Sequence, residues 1–298
     1  MRLVTYRSSG DQVVAVVDAG ERLHDLNDLL GVRDLVELIA RWDEVADRVR
    51  QATADSSSAG AGLGEAELLA PIPRPRRNVF AVGKNYREHA REFGASGYDQ
   101  TSGGGPNGGD DVPTKPVVFT KPPTSVIGPD QTIERHAQVT SELDYEAELG
   151  VIIGRGGRDI AAGDAVRHIW GYTAVNDVTA RDRQRDHRQW FLGKGLDTFC
   201  PMGPVAVTSD EIDGSALEIT CHVNGELRQK ASTSEMVFDI PTLIETISAG
   251  LTLEPGDVIA TGTPAGVGVG FQPPRFLQSG DVVEVTITGI GTLRNRVG

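Results

Sequence analysis

Residues 142–153, ELDYEAELGVII, constrain the fold more than any other part of this chain. The stretch reads as a β-strand, whose side chains alternate between two faces. Asp144, Glu146 and Glu148 then share one face, and Tyr145, Ala147 and Leu149 share the other. Alternating acids are ordinary where a strand faces solvent. Here no Lys or Arg is interspersed, and carboxylates about 7 Å apart repel by roughly 2 kcal/mol per adjacent pair at an effective dielectric near 20. The stretch also continues into GVIIG, apolar on both faces, so part of the strand is buried. Buried acids require a compensating cation. The chain must fold so that positive charge reaches this face.

A divalent metal would supply that charge. All-oxygen ligands select Mg²⁺, Mn²⁺ or Ca²⁺ over Zn²⁺ or Cu²⁺. GYTAVNDVTARDRQ offers a third carboxylate, Asp177, after another apolar strand. NDVTARD reads equally well as a turn into a helix with a capping acid, and spacing leaves both open.

The remainder predicts a mixed, mostly β chain. LVTYR and QVVAVVD are short strands separated by the turn cluster SSGD. Over residues 34–50 the period becomes helical, with Leu35, Leu38, Ile39, Trp42, Val45, Ala46 and Val49 on one face. Residues 52–66 lose periodicity, and PIPRPRRN is stiff and extended. This places a small N-terminal α+β domain with its linker at residues 1–72 and a catalytic domain at residues 73–298. Further strands follow in NVFAVG, KPVVFTK, EPGDVIATG and SGDVVEVTITGIGTLRNRV, with a hairpin at Asn224-Gly225. One helix is expected over residues 241–249, with Pro early and Gly250 just beyond. Regular βαβ alternation is absent. Residues 94–114 hold seven glycines and two prolines, too many for a packed element, and read as an active-site lid or a loose surface insertion.

The net charge of −13 argues against nucleic acid or an anionic membrane surface as partner. No apolar run reaches the ~18 residues of a membrane helix, and the start shows no export signal. Cys200 and Cys221 lack CxxC spacing and read as buried thiols. These features read as a reduced, cytoplasmic protein.

Taken in order, ELDYEAELGVIIG, GYTAVNDVTARDRQ, GKGLDTFCPMGP, VNGELRQKASTSEMVFDIP and LEPGDVIATGTPAGVGVG resemble the fumarylacetoacetate hydrolase family over residues 78–297. The resemblance implies rolled, mostly β sheets, a small N-terminal domain, a homodimer, and Mg²⁺ or a similar ion held by Glu146, Glu148 and Asp177. Asp144 is then a supporting hydrogen-bond partner.

His89 and Glu92, in VGKNYREHAREFG, lie three apart and so on one helix face, where the carboxylate can orient the imidazole. Taken alone, such a pair is usually a surface contact. The resemblance matches it to the His–Glu dyad that activates water in hydrolytic members. It also places Lys194 of FLGKGLD beside the metal, although Gly195 stands where many relatives have Ser. Arg181 and Gln184 match positions that contact substrate or neighbouring acids, and Thr263 of TGTPAGVGVG lies where a substrate carboxylate or oxo group binds. That glycine loop lacks a phosphate-loop Lys and can instead bring backbone N–H groups to an anion.

These parts suit a 2-oxo acid. The expected reaction is metal-dependent cleavage of a carbon–carbon bond in an acylpyruvate, through a pyruvate enolate. Alternatives on the same parts are oxaloacetate decarboxylation and isomerisation or hydration of unsaturated 2-oxo dioates. A non-catalytic ligand-binding protein is the rival from another class. Arg87, Arg183, Arg185 and Arg188 are candidates for a second carboxylate.

Overall fold

The apolar run that follows the acids lies inside a large sheet. The strand Ala147–Ile153 pairs antiparallel with Ile169–Asn176 on one edge and Val258–Ala260 on the other, and all seven of its residues are buried. Its two faces feed two cores. Leu149, Val151 and Ile153 pack with residues of a second sheet, whereas Ile152 packs with Trp170, Val175 and the N-terminal helices. This two-sided burial is why the run is apolar throughout. Each fully buried Ile or Leu in it contributes roughly 1.5–3 kcal/mol.

The computed structural model describes residues 1–54, 60–99 and 112–298. The large sheet runs, in hydrogen-bonded order, Leu23–Asp25, Asp11–Val17, Arg2–Ser8, Cys200–Thr208, Ile169–Asn176, Ala147–Ile153, Val258–Ala260, Val79–Gly83 and Val117–Lys121. A second sheet runs Glu226–Ser232, Glu218–Val223, Val282–Ile287, Gly291–Val297 and Thr132–Ile133. The expected hairpin turns at Asn224 and Gly225, both at positive φ (52° and 78°), as a tight two-residue turn requires. The mostly β fold is therefore the one the strand density predicts. Arg2–Ser8 pairs directly with Cys200–Thr208, so the N-terminal strands extend the large sheet.

Two local expectations change. The single helix over residues 34–50 is two, Leu35–Ala40 and Trp42–Ala52, broken at Arg41 (φ −107°, ψ 14°). The break sets Trp42 edge-on to Trp170, ring centres 5.3 Å apart. Leu35, Leu38, Ile39, Val45 and Val49 are buried on both sides of it, so the apolar period survives. The long acidic strand is also interrupted. Leu143–Asp144 pairs with Thr179–Ala180 in a separate ribbon, and regular pairing resumes only at Ala147. Between them the Glu146 N–H is taken by the Asn176 side chain (3.0 Å). Of the two readings left open for Asp177, the capping one does not hold, because the helix Arg181–His187 has Ala180 as its N-cap and no side-chain cap.

The expected helix near residue 241 is Ile240–Ser248, capped by Asp239, which accepts from the Thr242 N–H at 2.9 Å. Of the glycine-rich stretch 94–114, Gly94 and Ala95 end the helix Arg87–Ala95, and residues 100–111 lie outside the described residues. No described helix is long and apolar enough to cross a membrane. Cys200 and Cys221 are buried and unbridged, and burial pushes the Cys200 thiol up to about 12.

Candidate active site

Glu146, Glu148 and Asp177 are buried, and each offers a carboxylate oxygen within 4.8 Å of the others. Two backbone features bring them together. Glu146 and Glu148 lie where the interrupted strand enters the large sheet, and Asp177 directly follows its partner strand Ile169–Asn176. The Asp177 N–H donates to the Glu146 carbonyl (2.8 Å), which locks the two turns together.

Three buried cations answer these acids. Lys194 Nζ donates to Glu146 Oε2 (2.6 Å) and Asp177 Oδ2 (2.7 Å). Arg181 reaches Asp144 through Nε (2.8 Å), Glu146 through Nη2 (2.7 Å) and Gln184 through Nη1 (3.1 Å). Lys121, which stands in none of the catalytic or metal-binding motifs singled out above, donates to Asp177 Oδ1. A signal for it existed. Val117, Phe119 and Lys121 alternate along one strand, and the first two pack in an apolar cluster, so the lysine ends an apolar face. Gln184 is buried, not ordinary helix surface. Gly195 has no room for a side chain, since a Cβ would meet the Phe191 carbonyl oxygen at 2.9 Å and Pro122 at 3.0 Å.

Four buried carboxylates, those of Asp144, Glu146, Glu148 and Asp177, thus face the cations of Lys121, Arg181 and Lys194. The deficit falls on Glu148, which among the described residues has no ion pair and accepts from the Gly262 N–H at 2.8 Å. Burial, then Asp177 and Glu146, push its carboxyl well above the usual range. Burial acts the same way on Glu146, but Lys194 and Arg181 outweigh it and hold that carboxyl at about 2. Burial opposes the charge on Lys194, yet Asp177 and Glu146 keep its ammonium above the ordinary lysine value. A hard divalent ion fits this donor set, because it removes the repulsion at the carboxylate that lacks a cation.

The glycine loop brings its N–H groups to anions, and these anions are the protein's own acids. Gly262 donates to Glu148, Gly266 to Glu92 (3.0 and 3.2 Å), and Gly268 and Val269 to Asp144 (2.7 and 3.0 Å). Gly262 needs glycine twice over. Its φ is +103°, and a Cβ would meet Asn85 at 2.6 Å.

His89 and Glu92 share a face of the helix Arg87–Ala95, with Nδ1 3.4 Å from Oε2. His89, Glu146, Arg181, Gln184, Lys194 and Thr263 line one cavity. Glu92 stands behind His89. Thr263 accepts from Gln229 (2.8 Å), a fully buried residue that also takes the Ala147 N–H (3.0 Å). Trp190, likewise unforeseen, walls the cavity and packs edge-on against Phe93 and Phe119. Arg87, Arg183, Arg185 and Arg188 do not line it; Arg185 instead lies near Glu142 (3.7 Å) and Asp186 (3.0 Å).

Comparison with known proteins identifies the family. The family model described as fumarylacetoacetate (FAA) hydrolase C-terminal matches residues 78–298. Oxaloacetate tautomerase YisK of Bacillus subtilis is 46% identical over 296 residues, 97% of this chain and 93% of that protein. Among solved structures, a fumarylacetoacetate hydrolase from psychrophilic Exiguobacterium antarcticum superposes with a TM-score of 0.84 at 45% identity, covering 100% of this chain and 99% of that one. Maleylpyruvate hydrolase from Sphingobium sp. SYK-6, solved with manganese(II) and pyruvate, superposes at 0.78 with 29% identity, covering 100% and 98%. By family model, full-length identity and shared fold, the chain belongs to the fumarylacetoacetate hydrolase family.

Proposed function

We propose that this protein is a divalent-metal-dependent enzyme that moves a proton at the carbon beside the 2-oxo group of oxaloacetate, interconverting its keto and enol forms. The observation that carries this reading is the shared cavity. A His base and a Lys cation line it together, directly beside buried carboxylates that outnumber the cations facing them by one. The full-length similarity to an oxaloacetate tautomerase supports the choice of substrate.

Glu146, Glu148 and Asp177 would hold the ion, which when bound supplies electrophilic pull on the 2-oxo group and so acidifies the adjacent C–H. The chain's own residues do the rest. His89 takes the C3 proton at Nε2 while Glu92 holds Nδ1, and the imidazolium so formed returns that proton to the 2-oxo oxygen, which leaves His89 neutral and the substrate as its enol. Lys194, held by Glu146 and Asp177, keeps a fixed positive charge beside the oxygen that turns negative. Trp190 and Phe93 exclude bulk water from the proton's path.

A second reading is hydrolysis of an acylpyruvate. The contact between His89 and Glu92 favours it, because a water needs a stronger base than an acidified C–H does. The dyad would deprotonate water, which attacks the distal carbonyl. Carbon–carbon cleavage then yields a carboxylic acid and pyruvate.

The test uses chelator-stripped protein with and without Mg²⁺ or Mn²⁺. Metal-dependent decay of enol-oxaloacetate absorbance without pyruvate release supports the tautomerase. Pyruvate from acetylpyruvate, lost in His89→Ala, moves the assignment to the hydrolase. Pyruvate from oxaloacetate moves it to a decarboxylase, and no metal-dependent turnover of either compound sinks all three.

A further inference from the structure

Lys84 is a cation on the wall of the same cavity, set apart from the acid cluster. It follows the strand Val79–Gly83 and precedes the helix that carries His89. Its φ is +57°, a left-handed backbone that costs a long side chain roughly 1–3 kcal/mol and persists only where the surroundings impose it. The residue is 5% exposed, and its ammonium lies 5.8 Å from the centre of the Phe93 ring.

One partner of Lys84 is informative. Arg181 and Lys194, the other cations on this wall, are bound to Asp144, Glu146 and Asp177. Lys84 instead pairs with Asp99, whose side chain is 2% exposed and which follows the end of the helix Arg87–Ala95. A carboxylate from outside the acid cluster therefore sits on a cavity cation. The cavity holds about 10 Å³, the space of one water. The second carboxylate of a four-carbon diacid reaches Lys84 only by displacing the group already there.

We propose that Lys84 binds the second carboxylate of a dicarboxylic 2-oxo acid, which takes the place of Asp99. The proposal rests on the reading of this site as one for 2-oxo acids. Exchange of one carboxylate for another keeps Lys84 paired throughout, so no buried charge is left uncompensated, while Asp99 regains its hydration. A monocarboxylic 2-oxo acid has nothing to offer Lys84 and leaves the Lys84–Asp99 pair in place. The preference for dicarboxylates follows from that difference.

The experiment compares oxaloacetate with 2-oxobutanoate, which has the same four-carbon skeleton with a methyl group in place of the distal carboxylate. On Mg²⁺-loaded protein, KM for oxaloacetate and the calorimetric Kd for 2-oxobutanoate are measured for wild type, Lys84→Met and Asp99→Asn. Lys84→Met should raise KM for oxaloacetate roughly 10- to 100-fold, the loss of one charge-assisted hydrogen bond. Its Kd for 2-oxobutanoate should stay within about twofold, since that ligand lacks the charged group. Asp99→Asn removes the internal competitor and should tighten oxaloacetate several-fold. Equal weakening of both ligands in Lys84→Met, or no change in either variant, overturns the assignment. Wild type that binds neither ligand in a metal-dependent way overturns the 2-oxo acid reading itself, and the role of Lys84 with it.

Discussion

Lys121 and Asp177 form an ion pair in which neither side chain is exposed. The ammonium has three protons; one goes to Asp177 Oδ1 and the others to the carbonyls of Val178 (3.1 Å) and Lys194. Lys121 is thus satisfied wholly within the protein. It holds one oxygen of Asp177 while Lys194 holds the other at 2.7 Å.

Removing one partner of such a pair is expensive. Lys121→Met should lower the unfolding free energy of the metal-free protein by about 3–5 kcal/mol, because it strands a buried carboxylate. Urea unfolding followed by circular dichroism measures this. A loss under about 1 kcal/mol would mean that Lys194 alone suffices for Asp177.

Glu148 behaves oppositely. Its charge is disfavoured by burial and by Asp177 and Glu146, so Glu148→Gln should leave the metal-free protein as stable as wild type or more so. The Gln carbonyl still accepts from Gly262. The same variant should lose the rise in Tm that Mg²⁺ gives wild type. A stabilised variant that still responds fully to Mg²⁺ would remove Glu148 from the ligand set.

Metal affinity should increase with pH. The folded protein keeps the Glu148 carboxyl protonated above the ordinary value of 4.5, where the unfolded chain has released its proton. Metal-free stability therefore falls as pH rises from 4.5 towards the folded value. An ion needs the carboxylate, so its binding displaces that proton. Affinity should climb by up to about tenfold per pH unit in this window. Glu146, held at about 2, contributes stability that is present above 4.5 and lost as pH falls towards 2. Calorimetric Mg²⁺ titrations one pH unit apart, in buffers of different ionisation enthalpy, read both affinity and proton release. Identical affinities with no proton uptake by buffer would contradict the raised Glu148 carboxyl.

His89→Ala should lower kcat by about 10²–10⁴, the range for a lost general base, with little change in Mg²⁺ affinity because His89 lies outside the three-acid cluster. Glu92→Gln should fall less, since a Gln oxygen can still accept from Gly266. Steady-state kinetics beside metal titrations separate the two effects. A full-rate His89→Ala would show that the proton moves by another route.

The positive charge owed to the acids, and where it comes from, divides what was legible from what was not. Strand alternation and the run GVIIG were enough to show that Glu146 and Glu148 are buried and need a cation, because period and apolarity are local properties read within a few residues. The Asn224-Gly225 hairpin and the helix near Pro241 were legible for the same reason. The suppliers of charge were not local. Lys121 lies 56 residues before Asp177, and Gly262 lies 114 residues after Glu148. The glycines of residues 262–268 announced a close backbone approach, but not that the groups approached were Glu148, Glu92 and Asp144.

The break at Arg41 was hidden because apolar spacing continues across it, whereas the non-helical backbone at Arg41 and the packing of Trp42 on Trp170 are tertiary features. By itself, then, the sequence determined a mostly β chain with acids buried on a strand, since those follow from alternation along a few residues. Only the tertiary structure decided which cations meet them and that Glu148 is left without one, because charge compensation in a buried site is settled by segments distant along the chain.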